Sequence, residues 1–184
     1  PCRRRAPGIA RMSEALRRQI AELVADLRPH DAREARDQAE TLHWITSGAP
    51  LFRVAKPATP PKHLVSYFLM VDADHALLVD HINARLWLPS GGHVEPDEHP
   101  AETVRRECIE ELGIPASFLH AAPQFLTVTE TVGATAGHQD VSLWYVLQGQ
   151  RDQVLNYDKS EFNGIQWFHR DALPLHRSDP ELAR

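Results

Sequence analysis

The chain is poor in cysteine, with only Cys2 and Cys108. That excludes a disulfide framework and a Cys-rich zinc site. No apolar run is long enough to span a bilayer, so no membrane helix is expected. There is no basic excess either: 25 acidic residues stand against 20 basic ones, a formal charge of −5. Such a chain lacks the electrostatic footprint of a DNA-binding module, and nucleic acid is not an expected partner. Eleven histidines are present, but none forms an HExxH pattern, so their spacing gives no metal-site signal. The basic start Pro1-Cys2-Arg3-Arg4-Arg5 is not followed by the apolar stretch of a signal peptide, and a cytoplasmic protein is the default expectation. Internal repeats and low-complexity tracts are missing as well.

What is present is a core. The 184 residues are 42% hydrophobic and 24% charged, which suits one folded domain with a short appendage rather than a disordered chain. Residues 1–12 read as a disordered leader before Ser13. Leu16, Ile20, Leu23, Val24 and Leu27 recur at helical spacing, predicting a helix over 13–28, capped by Ser13 and stopped by Pro29. A second helix is expected over 31–47, with Asp31 and Glu34 as an N-cap pair and Gly48 beyond its end. Together residues 13–50 form a helical hairpin whose apolar stripe must be buried, as a dimerisation element, a lid or a buttress. A homodimer is therefore one expectation. Residues 51–62, with Pro57, Pro60 and Pro61, form an extended connector in which Leu51 and Phe52 lie against the protein.

From residue 63 the pattern turns to strands. Segments 63–71 and 76–82 flank a turn at 72–75, and a short apolar piece covers 86–89. Ser90-Gly91-Gly92 reads as a tight backbone turn. Residues 99–112 read as a helix, with Pro100 in its first turn and Gly113 just past its end. Strands follow over 124–132, 141–147 and 164–168, and a short C-terminal helix is expected near Asp171. Strands interleaved with one strong helix make a mixed α/β domain over 63–184.

The helix of residues 99–112 carries the chemistry. At helical spacing, Ala101, Val104, Cys108 and Leu112 fall within an arc of about 80°, the side that faces the core. Glu107 and Glu111 lie four apart, and Glu110 lies three beyond Glu107, so three carboxylates gather beside that stripe. Like charges so placed destabilise a helix by about 0.2–0.5 kcal/mol per pair, and Arg106 offsets only part of this. A cluster of oxygen donors on a rigid element suits a hard divalent cation. Glu98, just before the helix, can fold back toward the same place. The bland alternative is an acidic, solvated helix face.

The segment Gly92-His93-Val94-Glu95-Pro96-Asp97-Glu98, continuing through Arg106-Glu107-Cys108-Ile109-Glu110-Glu111-Leu112-Gly113-Ile114, resembles the Nudix box, G-x5-E-x7-R-E-U-x-E-E-x-G-U. Gly92, Glu98, Arg106, Glu107, Glu110, Glu111, Gly113 and Ile114 match. Cys108 stands where a bulky aliphatic is usual, a change expected to affect packing only. Ser90 replaces the proline common before the two glycines. The resemblance covers roughly residues 63–175.

It implies a Nudix-type α/β/α sandwich with a mixed sheet, here with the N-terminal helical hairpin added. It also implies hydrolysis of a nucleoside diphosphate linked to another moiety, X. Glu107 and Glu111 are then the main ligands of Mg²⁺ or Mn²⁺, and Glu110 a further ligand or the water-activating base. The Gly91 carbonyl completes the metal shell. Arg106 and Glu98 orient the carboxylates, and Glu161 is a further catalytic or metal-binding carboxylate from outside the box. Glu95, His138, Asp140 and Tyr145 are candidate substrate contacts, set against ordinary surface or core roles. His138 and Asp140 are also candidates to meet a metal. Tyr67 and Trp144 either stack a base or fill the core, and Glu130 is a weaker candidate for the pocket. Neither a proline nor a tyrosine stands at residues 129–132, so two known substrate-class marks are absent. The coenzyme A signature and the catalytic cysteine of the isomerase branch are absent too. The expected substrate is a small nucleotide, either a nucleoside triphosphate or a nucleotide conjugate. A non-catalytic nucleotide sensor and an RNA-decapping role are the competing readings.

The charge is not spread evenly. Residues 92–114 contain seven acids and two bases, and the remaining residues balance. The net charge of the chain is thus confined to one turn and one helix.

Overall fold

Nearly continuous apolar runs within residues 62–72 and 139–148, buried on both faces, form the sheet at the centre of the fold. In the computed structural model, which describes residues 12–56, 59–131 and 137–184, the element order is α1 (Glu14–Ala25), α2 (Ala32–Thr46), β1 (Lys62–Asp72), β2 (His75–His81), β3 (Leu86–Leu88), β4 (Ser90–His93), α3 (Pro100–Leu112), β5 (Phe125–Glu130), β6 (Gln139–Gln148) and β7 (Phe162–His169). Three short 3₁₀ turns follow, at Arg170–Ala172, Leu175–Arg177 and Pro180–Ala183. Residues 1–11 of the expected leader 1–12, Pro57 of the connector and Val132 at the end of the predicted β5 lie outside the described residues.

The sheet is mixed. β1 and β6 run parallel in continuous register from Lys62↔Gln139 to Val71↔Gln148. The other edge of β1 is shared: β4 pairs antiparallel with its first half, Val65↔His93 to Phe68↔Ser90, and β2 with its end, Met70↔Leu77 to Asp72↔His75. β5 extends the sheet beyond β6, while β3 and β7 flank β2. Paired residues share a face. On one face lie Leu64, Phe68, Val141, Leu143 and Leu126, all buried in the core that α3 supplies with Val104, Cys108 and Leu112. His63, Tyr67, Asp140 and Trp144 lie on the other face, by the same pairing.

The hairpin buries its stripe within the chain. Leu16, Ile20, Val24 and Ile45 join the same core as the sheet, the packing a buttress requires. The joint with the sheet is polar: Glu34, 1% exposed, accepts the N–H of Leu126 in β5 at 3.0 Å and also the N–H of His30 at 2.9 Å. Asp31 caps α2 by accepting the N–H of Glu34 at 2.8 Å, as its spacing predicts. Glu34 does not reciprocate toward Asp31, because its carboxylate is committed to His30 and β5. Leu51 and Phe52 of the connector are buried as expected.

Three expectations are corrected. α1 ends at Ala25, short of Pro29, because the Gln38 amide donates to the carbonyls of Val24, Ala25 and Leu27 and satisfies them without another helical turn. Ser90-Gly91-Gly92 is not a turn but the body of β4, bonded to β1. The C-terminal segment forms 3₁₀ turns and no α-helix among the described residues, with Pro174 and Pro180 interrupting any longer run.

Replacing Glu34 by Ala removes the acceptor of a buried N–H in β5 and of the part-buried His30 N–H before α2. Urea unfolding of Glu34→Ala is expected to show a loss of about 2–4 kcal/mol. A loss below about 0.5 kcal/mol would mean that the hairpin is held by its apolar stripe alone.

Candidate active site

α3 begins sharply and ends sharply. The His99 side chain accepts the N–H of Ala101, Pro100 opens the first turn, and Gly113 closes the helix at φ +71°. These fixed ends set the rotation of the helix. Ala101, Val104, Cys108 and Leu112 point into the core, and Glu107 and Glu111 are carried against β4.

That approach is very close. A Cβ on Gly92 would lie 2.0 Å from Glu107 Oε1. On Gly91, at φ +144°, it would lie 2.2 Å from the Ser66 carbonyl oxygen of β1. Gly92 thus leaves room for a carboxylate, and Gly91 for a neighbouring backbone. The Gly91 N–H donates to Glu111 Oε2 at 3.0 Å.

Arg106 organises the rest. Its Nε and Nη2 donate to the two oxygens of Glu98 at 3.0 and 3.1 Å, a bidentate pair. Its Nη1 donates to Glu107 at 2.6 Å and to Glu110 at 3.2 Å, and Nη2 also reaches the His93 carbonyl at 3.3 Å. Glu98 further accepts the Thr103 hydroxyl at 2.7 Å and the Glu95 N–H at 3.1 Å. Burial pushes the Glu98 carboxyl up, but these bonds outweigh it and hold it below the usual carboxylate range.

Glu111 is the opposite case. It is 6% exposed and has no ion-pair partner among the described residues. Burial, then the charge of Glu107, pushes its carboxyl up to about 9, against the opposing Gly91 hydrogen bond. Burial also raises Glu107, in spite of Arg106. Glu110 and Glu161 add negative field at both positions. Four carboxylates thus act on one another, and one counter-charge, Arg106, bonds to only two of them. A group of oxygen donors short of positive charge suits a hard divalent cation bound by Glu107, Glu111 and neighbouring oxygens.

The other proposed contacts separate. Glu95 is solvent-exposed on the loop before α3. Tyr145 is fully buried with its ring edge-on to Phe118, which puts that ring in the core. Trp144 donates from Nε1 to the Thr127 hydroxyl and lies edge-on to Tyr67. Trp144 and Tyr145 also border a cavity of about 310 Å³ with His30, Phe125 and Arg184, and no box residue lines it. Glu130 accepts from the Gln139 amide at 2.7 Å and is exposed. His138 and Asp140 meet not the box carboxylates but each other, together with His63 and His93. Sequence spacing missed those two histidines and Thr103.

A family model for the NUDIX domain matches residues 61–184. Among solved structures, a NUDIX-family hydrolase from Clostridium perfringens is similar at 21% identity and a TM-score of 0.53, over 65% of this chain and 90% of that one. A MutT NUDIX hydrolase from Burkholderia pseudomallei is 24% identical over 61% of this chain and 87% of its own, with a TM-score of 0.49. The E. coli dihydroneopterin triphosphate pyrophosphohydrolase is 16% identical over 58% and 80%, with a TM-score of 0.48. No curated protein matches the chain significantly.

The two glycines should respond differently. Gly91→Ala meets backbone and is expected to cost about 2–4 kcal/mol in denaturant unfolding, whereas Gly92→Ala meets only the end of a flexible side chain and should stay within about 1 kcal/mol. Equal losses would refute the division of roles. The raised Glu111 carboxyl gives a pH test. Between about 4.5 and 9 the unfolded chain has released this proton while the folded chain retains it, so metal-free stability falls as pH rises through that window. In chelator, Glu111→Gln should therefore melt several degrees above the parent at pH 8.5, with a smaller gap at pH 5. A gap that does not widen with pH would show that Glu111 carries no such strain.

Proposed function

The chain belongs to the NUDIX family and is a Nudix pyrophosphohydrolase; we propose that it hydrolyses, with a divalent cation, the pyrophosphate linkage of a small nucleoside diphosphate-X substrate. The observation that carries this reading is Glu111, a buried carboxylate beside Glu107 with no ion-pair partner among the described residues. The donors are oxygens only, which fits Mg²⁺ or Mn²⁺ and does not select softer ions.

Glu107 and Glu111 would hold the ion, with the Gly91 carbonyl and Glu110 as further donors. A bound divalent cation reverses the local sign for an anionic diphosphate and makes its phosphorus more open to attack by water. Arg106 and Glu98 keep Glu107 in place. Glu110 is 59% exposed in its side chain and tethered only by Arg106, so it can take the proton from an attacking water. Glu161, whose charge is felt at both Glu107 and Glu111, is an alternative acceptor from outside the helix. Water adds at phosphorus, the bridging P–O bond breaks, and two phosphate-bearing products leave. Glu95 is kept as a substrate contact on the rim of the loop before α3.

The test is a panel of nucleoside triphosphates and nucleotide conjugates with Mg²⁺, its products identified by mass in ¹⁸O-labelled water. Cleavage at the pyrophosphate with one labelled product is expected. Glu107→Gln and Glu111→Gln should each lower kcat by about 10²-fold or more while the fold is retained. Near-parental kcat in both would overturn the assignment of ligands. Tight binding of a nucleotide with no turnover under either metal would identify a sensing module instead.

A further inference from the structure

Four side chains that are not among the box carboxylates converge on one point. Register puts three of them on one face of the sheet: His63 of β1 pairs with Asp140 of β6, and His93 of β4 pairs with Val65, two residues along β1. His138, just before β6, completes the group. The Nε2 atoms of His63, His138 and His93 lie 3.1, 3.4 and 3.8 Å from the same oxygen, Asp140 Oδ1. The four ligand atoms all lie within 4.8 Å of one another.

The outer nitrogens determine what faces inward. His63 Nδ1 lies 2.9 Å from the Pro60 carbonyl, which only accepts, so Nδ1 carries the proton and Nε2 presents a lone pair. The Thr131 hydroxyl lies 3.1 Å from His138 Nδ1 and 3.1 Å from the His138 carbonyl, which holds the ring with Nε2 turned toward Asp140. Fixing the tautomer of a ligand imidazole through its far nitrogen is how proteins orient metal-binding histidines. At the centre, His63 Nε2, His93 Nε2 and Asp140 Oδ1 are buried with no hydrogen-bond partner among the described residues. His63 is 0% exposed and His138 3%, so water does not satisfy the interior side of the group. Lone pairs facing a carboxylate oxygen repel unless a proton or a metal cation lies between them, and a single cation can serve all four groups at once.

We propose that His63, His93, His138 and Asp140 form a binding site for one divalent transition-metal ion of the zinc class, distinct from the carboxylate group of the box. Imidazole nitrogens select such ions over Mg²⁺. A tetrahedral ion with bonds of about 2.0–2.1 Å needs ligand atoms roughly 3.3 Å apart, and the separations from Asp140 fall around that value. Four protein ligands leave no open position, so the site is structural. It ties the start of β1, the end of β4 and the start of β6 to one point. β4 carries Gly91 and Gly92, and the His93 carbonyl is held by Arg106, so the tie bears on the strand that supports the box. His93 is partly exposed and provides the entry path. The charge of Arg53 acts on His93 and on Asp140 and counts against a cation here, so the four ligands must outweigh it.

The full chain, stripped by chelator, is titrated with Co²⁺ and followed by visible absorption. One equivalent giving the intense bands of tetrahedral nitrogen–oxygen coordination is expected. His138→Ala and Asp140→Ala should each lose them, while Glu107→Gln with Glu111→Gln should keep them. Because those variants can misfold, the unmutated chain is also melted with Zn²⁺ and with Mg²⁺. Zn²⁺ should raise the midpoint by about 5 °C or more beyond Mg²⁺. Absence of the tetrahedral bands in the unmutated chain, their loss in the box variant, or equal midpoints with the two metals would overturn the proposal.

Discussion

The close seating of α3 on β4 is the contact on which the rest of the site depends. Glu107 occupies the space where a side chain of Gly92 would begin, and Glu111 accepts the N–H of Gly91. Two carboxylates can be brought this near a strand only if that strand has no side chains there. The strand in turn fits against β1 only because Gly91 adopts a φ that other residues avoid. Helix rotation, strand identity and carboxylate position are therefore one constraint. Burial then raises the Glu107 and Glu111 carboxyls, and Arg106 balances only part of the negative charge. The fold bears that cost where a cation can relieve it, the pattern expected when stability is given up for function.

Arg106 joins this seat to its surroundings. One guanidinium bonds Glu98 from the loop before the helix, Glu107 and Glu110 on the helix, and the carbonyl of His93 at the end of β4. Its planar fork lets one residue fix three carboxylates and a strand end together. Through His93 the same network touches the histidine cluster on the far end of β4. Oxygen donors are gathered on the helix side and nitrogen donors on the sheet face, so the two groups differ in the cation each suits.

Much of this could be read before folding. The carboxylate spacing on α3, its caps at His99 and Gly113, and the apolar arc of Ala101, Val104, Cys108 and Leu112 are local helix properties. The strands were legible from their apolar runs, though β4 was not. Ser90-Gly91-Gly92 has no side-chain pattern to announce a strand, and its extended state comes from hydrogen bonds to β1. The early end of α1 at Ala25 was hidden for a similar reason. The partner that satisfies its last carbonyls, Gln38, belongs to the other helix.

The sequence alone determined the family resemblance, the helix that carries the carboxylates and the confinement of the negative charge to one segment, because each depends on residues in one continuous stretch, 92–114. Tertiary structure decided what those residues meet. It committed Glu34 to β5, placed the Tyr145 ring in the core, and gathered His63, His93, His138 and Asp140 from three strands and a loop. Only His138 and Asp140 are near neighbours in the chain. The others meet them through strand register, which is set by the packing of the whole sheet and by no local pattern.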